Sequence, residues 1–165
     1  MTDGKDLTFD IAKIEKNLIK NYDNLMLHEK WVLSRIKYLS DLVTESMDSY
    51  NFSEAGQELY HFTKNEFCDY YIEEFKLTKE TSKHGADVIV YTINHLLKLW
   101  HPYMPFVTEA IWQEVYGEDQ MLMVEKWPTA AEASAGNAQE FEVLRGIITG
   151  IRALRAEKKI EPAKK

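Results

Sequence analysis

Between His28 and Tyr50 the apolar residues Val32, Ile36, Leu39, Val43 and Met47 recur at steps of four, three, four and four. A stripe with that period stays on one face only if the chain turns as an α-helix; a strand would scatter it over both faces. The whole segment therefore reads as one long amphipathic helix with a buried side. Interruptions are scarce elsewhere too, since 165 residues contain only seven Gly and four Pro. Long helices are the structures such a chain can build.

The remaining segments follow the same pattern. Ile11, Ile14, Leu18 and Tyr22 place a first helix over 9–27. Asn51 and Phe52 break the chain, and Ser53 is a suitable N-cap for a third helix over 54–77. Its aromatics, Tyr60, Phe62, Phe67, Tyr70, Tyr71 and Phe75, fall on more than one face, so neighbours must surround it. Residues 78–85 are polar and read as a loop. A fourth helix over 86–100 carries Ile89, Ile93, Leu96, Leu97 and Trp100, and stops at His101 because a residue before proline is steered out of the helical region. Pro105 opens a fifth helix and Gly117 closes it with a left-handed cap. Residues 121–127 read as a short extended segment, and 129–137 (TAAEASAGN) as a linker. A last helix over 138–159 is expected to turn Phe141, Leu144, Ile148 and Ile151 inward and Arg145, Arg152 and Lys159 outward. The expected fold is an all-α helical bundle: residues 1–128 form the bundle, 129–137 the linker, and 138–165 a basic C-terminal helix and tail of the same domain.

Charge narrows the partners. The net charge of −7 is unlike that of a general nucleic-acid binder. It is unevenly spread, however. Arg152, Arg155, Lys158, Lys159, Lys164 and Lys165, set against Glu157 and Glu161, give the stretch from 152 onward +4 and leave −11 for the rest. A basic patch on an acidic body can hold phosphates, because the local field decides contact. A solvated helix end is the plainer reading, since cations also favour a helix C-terminus. No apolar run reaches the ~20 residues of a membrane span, no secretory signal is seen at the start, and a lone Cys68 fits a reducing compartment. The expected location is the cytoplasm.

Few residues suggest catalysis. Glu58 and His61 form one Glu-x-x-His pair, but a di-iron carboxylate bundle needs two such pairs and two further Glu. The five histidines, at 28, 61, 84, 95 and 101, have no zinc spacing. No glycine-rich phosphate loop is present. The expectation is no catalytic residue, no metal and no cofactor in this chain. Cys68 is expected to be a buried small hydrophobe, and Trp31, Trp100, Trp112 and Trp127 to be core anchors.

Three motifs occur in order: Lys30-Trp31-Val32-Leu33-Ser34-Arg35, then Glu66-Phe67-Cys68-Asp69-Tyr70-Tyr71-Ile72-Glu73, then the run from His101-Pro102-Tyr103-Met104-Pro105 to Trp112. Val124-Glu125-Lys126-Trp127-Pro128 follows them. This series resembles the helical anticodon-binding domain of the class I aminoacyl-tRNA synthetases for valine, isoleucine and leucine. The tail Ile151-Arg152-Ala153-Leu154-Arg155-Ala156-Glu157, with Ile160-Glu161-Pro162-Ala163-Lys164-Lys165, looks like the valine branch and disfavours the other two. A freestanding helical interaction protein derived from that scaffold is the alternative from another class.

The resemblance implies the class I synthetase anticodon-binding fold, and a partner in tRNA, that for valine. It implies a parent protein that uses ATP to attach the amino acid, with its catalytic domain outside this chain. Gly4 to Phe9 looks like the junction following that domain, and the chain alone is expected to be inactive. In the family's first helix the pattern is matched here by Lys16, Asn17 and Asn24, while Leu18 and Asp23 depart from it. By position, Lys16, Asn17 and Lys20, with Arg35 nearby, are the implied anticodon-proximal groups. Arg152, Arg155, Lys158 and Lys159 are the implied contacts to the phosphate backbone. Glu66, Asp69 and Trp112 are assigned to packing and helix junctions.

Overall fold

The computed structural model describes residues 9–129 and 139–159, and all regular structure among them is helical. Helix α1 (Ile11–Lys20) leads through a 3-10 turn at Tyr22–Asn24 into α2 (Leu27–Asp48). Then α3 (Phe52–His61), a π-helical segment (Phe62–Tyr71) and α4 (Ile72–Thr78) run on as one continuous rod. Helices α5 (Gly85–Trp100), α6 (Pro105–Tyr116) and α7 (Gln139–Glu157) complete the order, with a 3-10 turn at Leu122–Val124 before α7.

Helix α2 is the central post. Its stripe, Val32, Ile36, Leu39 and Val43, is almost entirely buried, and Trp31 and Leu33 extend the burial to its flanks. It packs against α3, α5, the π segment and α7. Each such side chain contributes ~1.5–3 kcal/mol on burial, so this stripe fixes the bundle. Leu59, Phe62, Tyr71, Val88, Tyr91 and Leu99 meet it from the other helices. A smaller cluster, Leu97, Trp112 and Leu122 with Tyr116, joins α5 to α6 and the second turn.

The π segment has a visible cause. Phe62 and Phe67, five residues apart, are stacked with centroids 6.4 Å apart. Phe67–Tyr71 and Tyr71–Phe75 continue the stack at 5.6 and 6.5 Å with spacings of four. A five-residue step stays on one face only when the helix bonds i to i+5, as Ile72 N–H does to the Phe67 carbonyl.

Several local expectations are corrected. The first helix stops at Lys20, and Leu25 and Met26 are extended. Asn51, not Ser53, precedes the third helix, and its side-chain amide bonds Glu54. Helix α5 does end at Trp100, yet His101 keeps right-handed angles (φ −55°, ψ −41°) ahead of Pro102. The turn there closes through the N–H groups of Tyr103 and Met104, which donate to the Trp100 carbonyl at 3.0 and 2.9 Å. Gly117 has the positive φ expected of it, 101°, but an extended ψ of 152°. Within the segment expected to be extended, 121–127, a 3-10 turn interrupts the chain at Leu122–Val124, while Met121 and Glu125 on either side are extended. Cys68 is exposed, and Trp127 is 38% exposed while its indole N–H donates to Thr44. The linker, apart from Thr129, and the tail from Ile160 lie outside the described residues.

Candidate nucleic-acid interface

Helix α1 is seated by its polar as well as its apolar side. Asp10 caps it, accepting the Lys13 N–H at 3.0 Å. Leu18 is buried, and Ile11 and Ile14 pack beside it against the core. Asn17 Nδ2 donates to Asp87 Oδ2 of α5 at 2.8 Å, and Asn21 Nδ2 donates back to Asn17 Oδ1 at 2.9 Å. Asn17 therefore serves the joint between α1 and α5. Lys16 and Lys20 point outward and are exposed, as is Lys13. The three lie at i, i+3 and i+7, so they share one face, and among the described residues none forms a salt bridge. Lys13 was missed from the sequence, although that spacing marks it.

Beyond α1 the chain is tied to α2. Lys30 Nζ donates to the Asp23 carbonyl at 3.0 Å and lies 5.7 Å from the Tyr22 ring centroid. One turn further, Arg35 is held by Glu66 of the π segment. Its Nε donates to Oε2 at 2.6 Å and its Nη2 to Oε1 at 3.0 Å, a two-pronged pair. Glu66 retains 4% side-chain exposure and Arg35 23%. His61 Nδ1 at 3.4 Å and Arg145 Nη1 at 3.9 Å also face Glu66. Arg35 is thus committed to the joint between two helices, while Glu66 and Trp112 are buried packing residues and Asp69 is exposed.

Helix α7 departs in part from the expected orientation: Phe141 and the half-buried Ile148 face the bundle as expected, whereas Leu144 and Ile151 do not. Phe141 alone of its apolar residues is buried, 4.8 Å from the Trp31 ring, whose indole N–H donates to Glu142 at 2.6 Å. Leu144, Ile147 and Ile151 are 41%, 55% and 52% exposed. Of the cations expected to face outward, Arg145 instead meets the bundle, while Arg152 and Lys159 are exposed as expected. The Arg145 guanidinium lies 5.1 Å from the Trp31 centroid and 4.9 Å from that of Tyr70, and Arg152 lies 5.0 Å from Tyr70. Guanidinium planes stack well on rings, and Trp31 and Tyr70 stand where α7 crosses. Arg155 is half-buried, Lys158 pairs with Glu157 at 3.2 Å, and Lys159 is exposed just past the helix end.

Apart from Asn17 and Arg35, which are committed to helix joints, the predicted residues fall into two sets: Lys16 and Lys20 on α1, which packs on α5, and Arg152 and Arg155 on α7, which packs on α2, with Lys158 and Lys159 just past its end. A cleft of about 400 Å³ lies beside Phe9, lined by Asn94, Lys98, Trp112 and Tyr116, and none of the predicted residues lines it. Among the described residues, no three His, Cys, Asp or Glu side chains converge as a metal site would require, and no helix is long and apolar enough to cross a membrane.

This arrangement, a helical bundle with cations on its first and last helices, meets a known family. Residues 29–165 match the model of the anticodon-binding domain of tRNA ligase, and the chain belongs to that family. Its relatives include the valine–tRNA ligase of Bacillus cereus, 34% identical over 98% of this chain and 22% of its own length. Those of Fervidobacterium nodosum and Staphylococcus epidermidis are each 38% identical, over 90% and 81% of this chain. The chain spans about a fifth of the length of such relatives, so the rest of those proteins lies outside it. The match with the Bacillus cereus protein runs over 193 residues, more than the 165 here, so that relative carries stretches without a counterpart in this chain.

Proposed function

We propose that this chain is the tRNA-binding module of a valine–tRNA ligase, which grips the anticodon arm of the valine tRNA for a catalytic domain elsewhere in the parent protein. The similarity to valine–tRNA ligases over 98% of this chain carries this reading. In the parent, which would use ATP, the module acts by position. Holding one end of a long, rigid RNA sets where its acceptor end reaches the active site, so binding energy becomes orientation. The module itself carries no catalytic group, and its place of action is the cytoplasm. Residues 1–128 and 138–165 work as one unit across the linker at 129–137.

Lys16 and Lys20 contact the anticodon arm from the exposed face of α1, with Lys13 completing the stripe. Arg152, Arg155, Lys158 and Lys159 meet backbone phosphates. Asn17 and Arg35 act at one remove, by seating α1 on α5 and the π segment on α2. Splayed anticodon bases suit this kind of surface, because loops are read by edge hydrogen bonds and stacking rather than through a helical groove.

The test is binding of the chain to a labelled valine tRNA transcript at two salt concentrations, beside an anticodon-substituted transcript. Expected are weaker binding at higher salt, weaker binding to the substituted RNA, and a loss of that discrimination in Lys16→Ala/Lys20→Ala. Equal affinity for both transcripts would refute anticodon reading.

A further inference from the structure

One contact lies outside these roles. Tyr70, at the end of the π segment, inserts its ring between two arginines of α7. The centroid lies 4.9 Å from the Arg145 guanidinium and 5.0 Å from that of Arg152. Seven helical residues rise roughly 10 Å, about two turns, so one ring within 5.0 Å of both cations spans that length of α7. Thr149 sits on the same face, four residues after Arg145 and three before Arg152, and its hydroxyl is 2.8 Å from the Tyr70 hydroxyl. Ring and hydroxyl together hold Tyr70 in a slot with a cation at each end.

The two cations differ in what else they meet. Arg145 Nη1 donates to both carboxylate oxygens of Glu142 at 3.0 Å and lies 3.9 Å from Glu66. Its side chain is only 18% exposed. Arg152 is exposed and, among the described residues, has no carboxylate partner. Its charge is therefore both oriented and unneutralised. A guanidinium resting over a ring still has N–H groups to offer, in the fork that fits phosphate oxygens. An unsupported arginine must give up rotamer entropy on binding, and one already resting on a ring has given up part of it beforehand.

We infer that Tyr70 is a positioning residue for RNA backbone contact, holding Arg152 so that its guanidinium fork faces a phosphate. This rests on the reading that α7 meets tRNA, and it adds a residue from a different helix to that surface. A residue that only packed α7 would affect stability and leave the electrostatics of binding alone. A positioning residue must change the salt dependence through Arg152.

The experiment measures binding to the valine tRNA transcript, and to an RNA duplex without an anticodon loop, as a function of salt. Wild type, Tyr70→Ala, Tyr70→Phe, Arg152→Ala and the Tyr70→Ala/Arg152→Ala double variant are compared, with a thermal melt of each. Tyr70→Ala is expected to weaken binding about five- to tenfold and to lower the slope of log affinity against log salt by about one, the loss of one phosphate contact. Arg152→Ala should give the same loss and the double variant no more. Tyr70→Phe, which keeps the stacked ring, should bind within about threefold of wild type. Full affinity and slope in Tyr70→Ala would overturn the inference, as would additive losses in the double variant. Wild type binding both RNAs but ignoring the anticodon would remove the anticodon reading and leave the role of Tyr70 standing on its own slope. Failure of wild type to bind either RNA would overturn both.

Discussion

Replacing Arg35 and Glu66 singly and together tests the joint between α2 and the π segment. The two are bonded at 2.6 and 3.0 Å, but they are not equally buried, with 23% of the Arg35 side chain exposed against 4% of Glu66. Breaking a buried pair by removing one partner costs ~3–5 kcal/mol, chiefly through the charge left behind. Glu66→Met leaves Arg35 with some water and the Tyr38 ring 5.0 Å away, which brings the cost down to or below the bottom of that range, about 2–3 kcal/mol. Arg35→Met leaves a carboxylate in the interior, helped only by His61 at 3.4 Å and Arg145 at 3.9 Å, and should cost more, about 3–4 kcal/mol. The double variant leaves neither charge, so it should be no less stable than Arg35→Met, a coupling of about 2–3 kcal/mol. Urea unfolding at neutral pH, followed by far-ultraviolet circular dichroism and tryptophan fluorescence, gives the three values. Single losses that sum to the double within ~0.5 kcal/mol, or a larger loss for Glu66→Met, would refute the argument.

Three further outcomes are expected. Burial holds the His95 imidazole at a pKa of about 4, below its ordinary 6.5, with its Nδ1 3.0 Å from the Tyr91 carbonyl. The unfolded chain therefore binds a proton first, and stability falls as pH drops from about 6.5 towards 4, by up to about 3 kcal/mol; His95→Gln should flatten that decline in urea unfolding across the range. On α7, Phe141→Ala should cost ~3 kcal/mol, whereas Ile147→Glu, on the exposed face, should change stability by no more than ~0.5 kcal/mol in the same assay. Gly117→Ala adds a Cβ that meets nothing within 4 Å, so any loss in thermal stability comes from the backbone at φ 101° and ψ 152°, worth ~1–3 kcal/mol.

The helical rods were legible because long periodic stripes dominate their sequence. The stripe of α2 is buried as its spacing requires, and Pro105 and Gly117 bound α6 where they should. What sequence alone missed in α7 was that Arg145 turns inward while Leu144 and Ile151 stay exposed. Helix α7 has an apolar and a basic side, and hydrophobicity favours burying the first. Trp31 and Tyr70 instead offer ring faces to guanidinium groups, and that contact requires two segments far apart in the chain to be brought together. Arg35 was similarly opaque, since its partner lies 31 residues away and nothing local marks Glu66 as buried. Lys16 and Lys20 were easier to place, because the apolar residues of α1 leave those positions facing outward.

The π segment gives this bundle one place where chain length is negotiable. Deleting a residue from α2 would swing everything beyond it by roughly 100° and carry the stripe from Ile36 to Val43 off the core. Between Phe62 and Phe67 the helix already carries more residues than an α-turn needs. A deletion at 63–65 would bring those rings to a spacing of four, the same step that already separates Phe67 from Tyr71 and Tyr71 from Phe75, and the stack would continue in phase. The rod can thus shorten by one residue at that point with its ring stack still in phase.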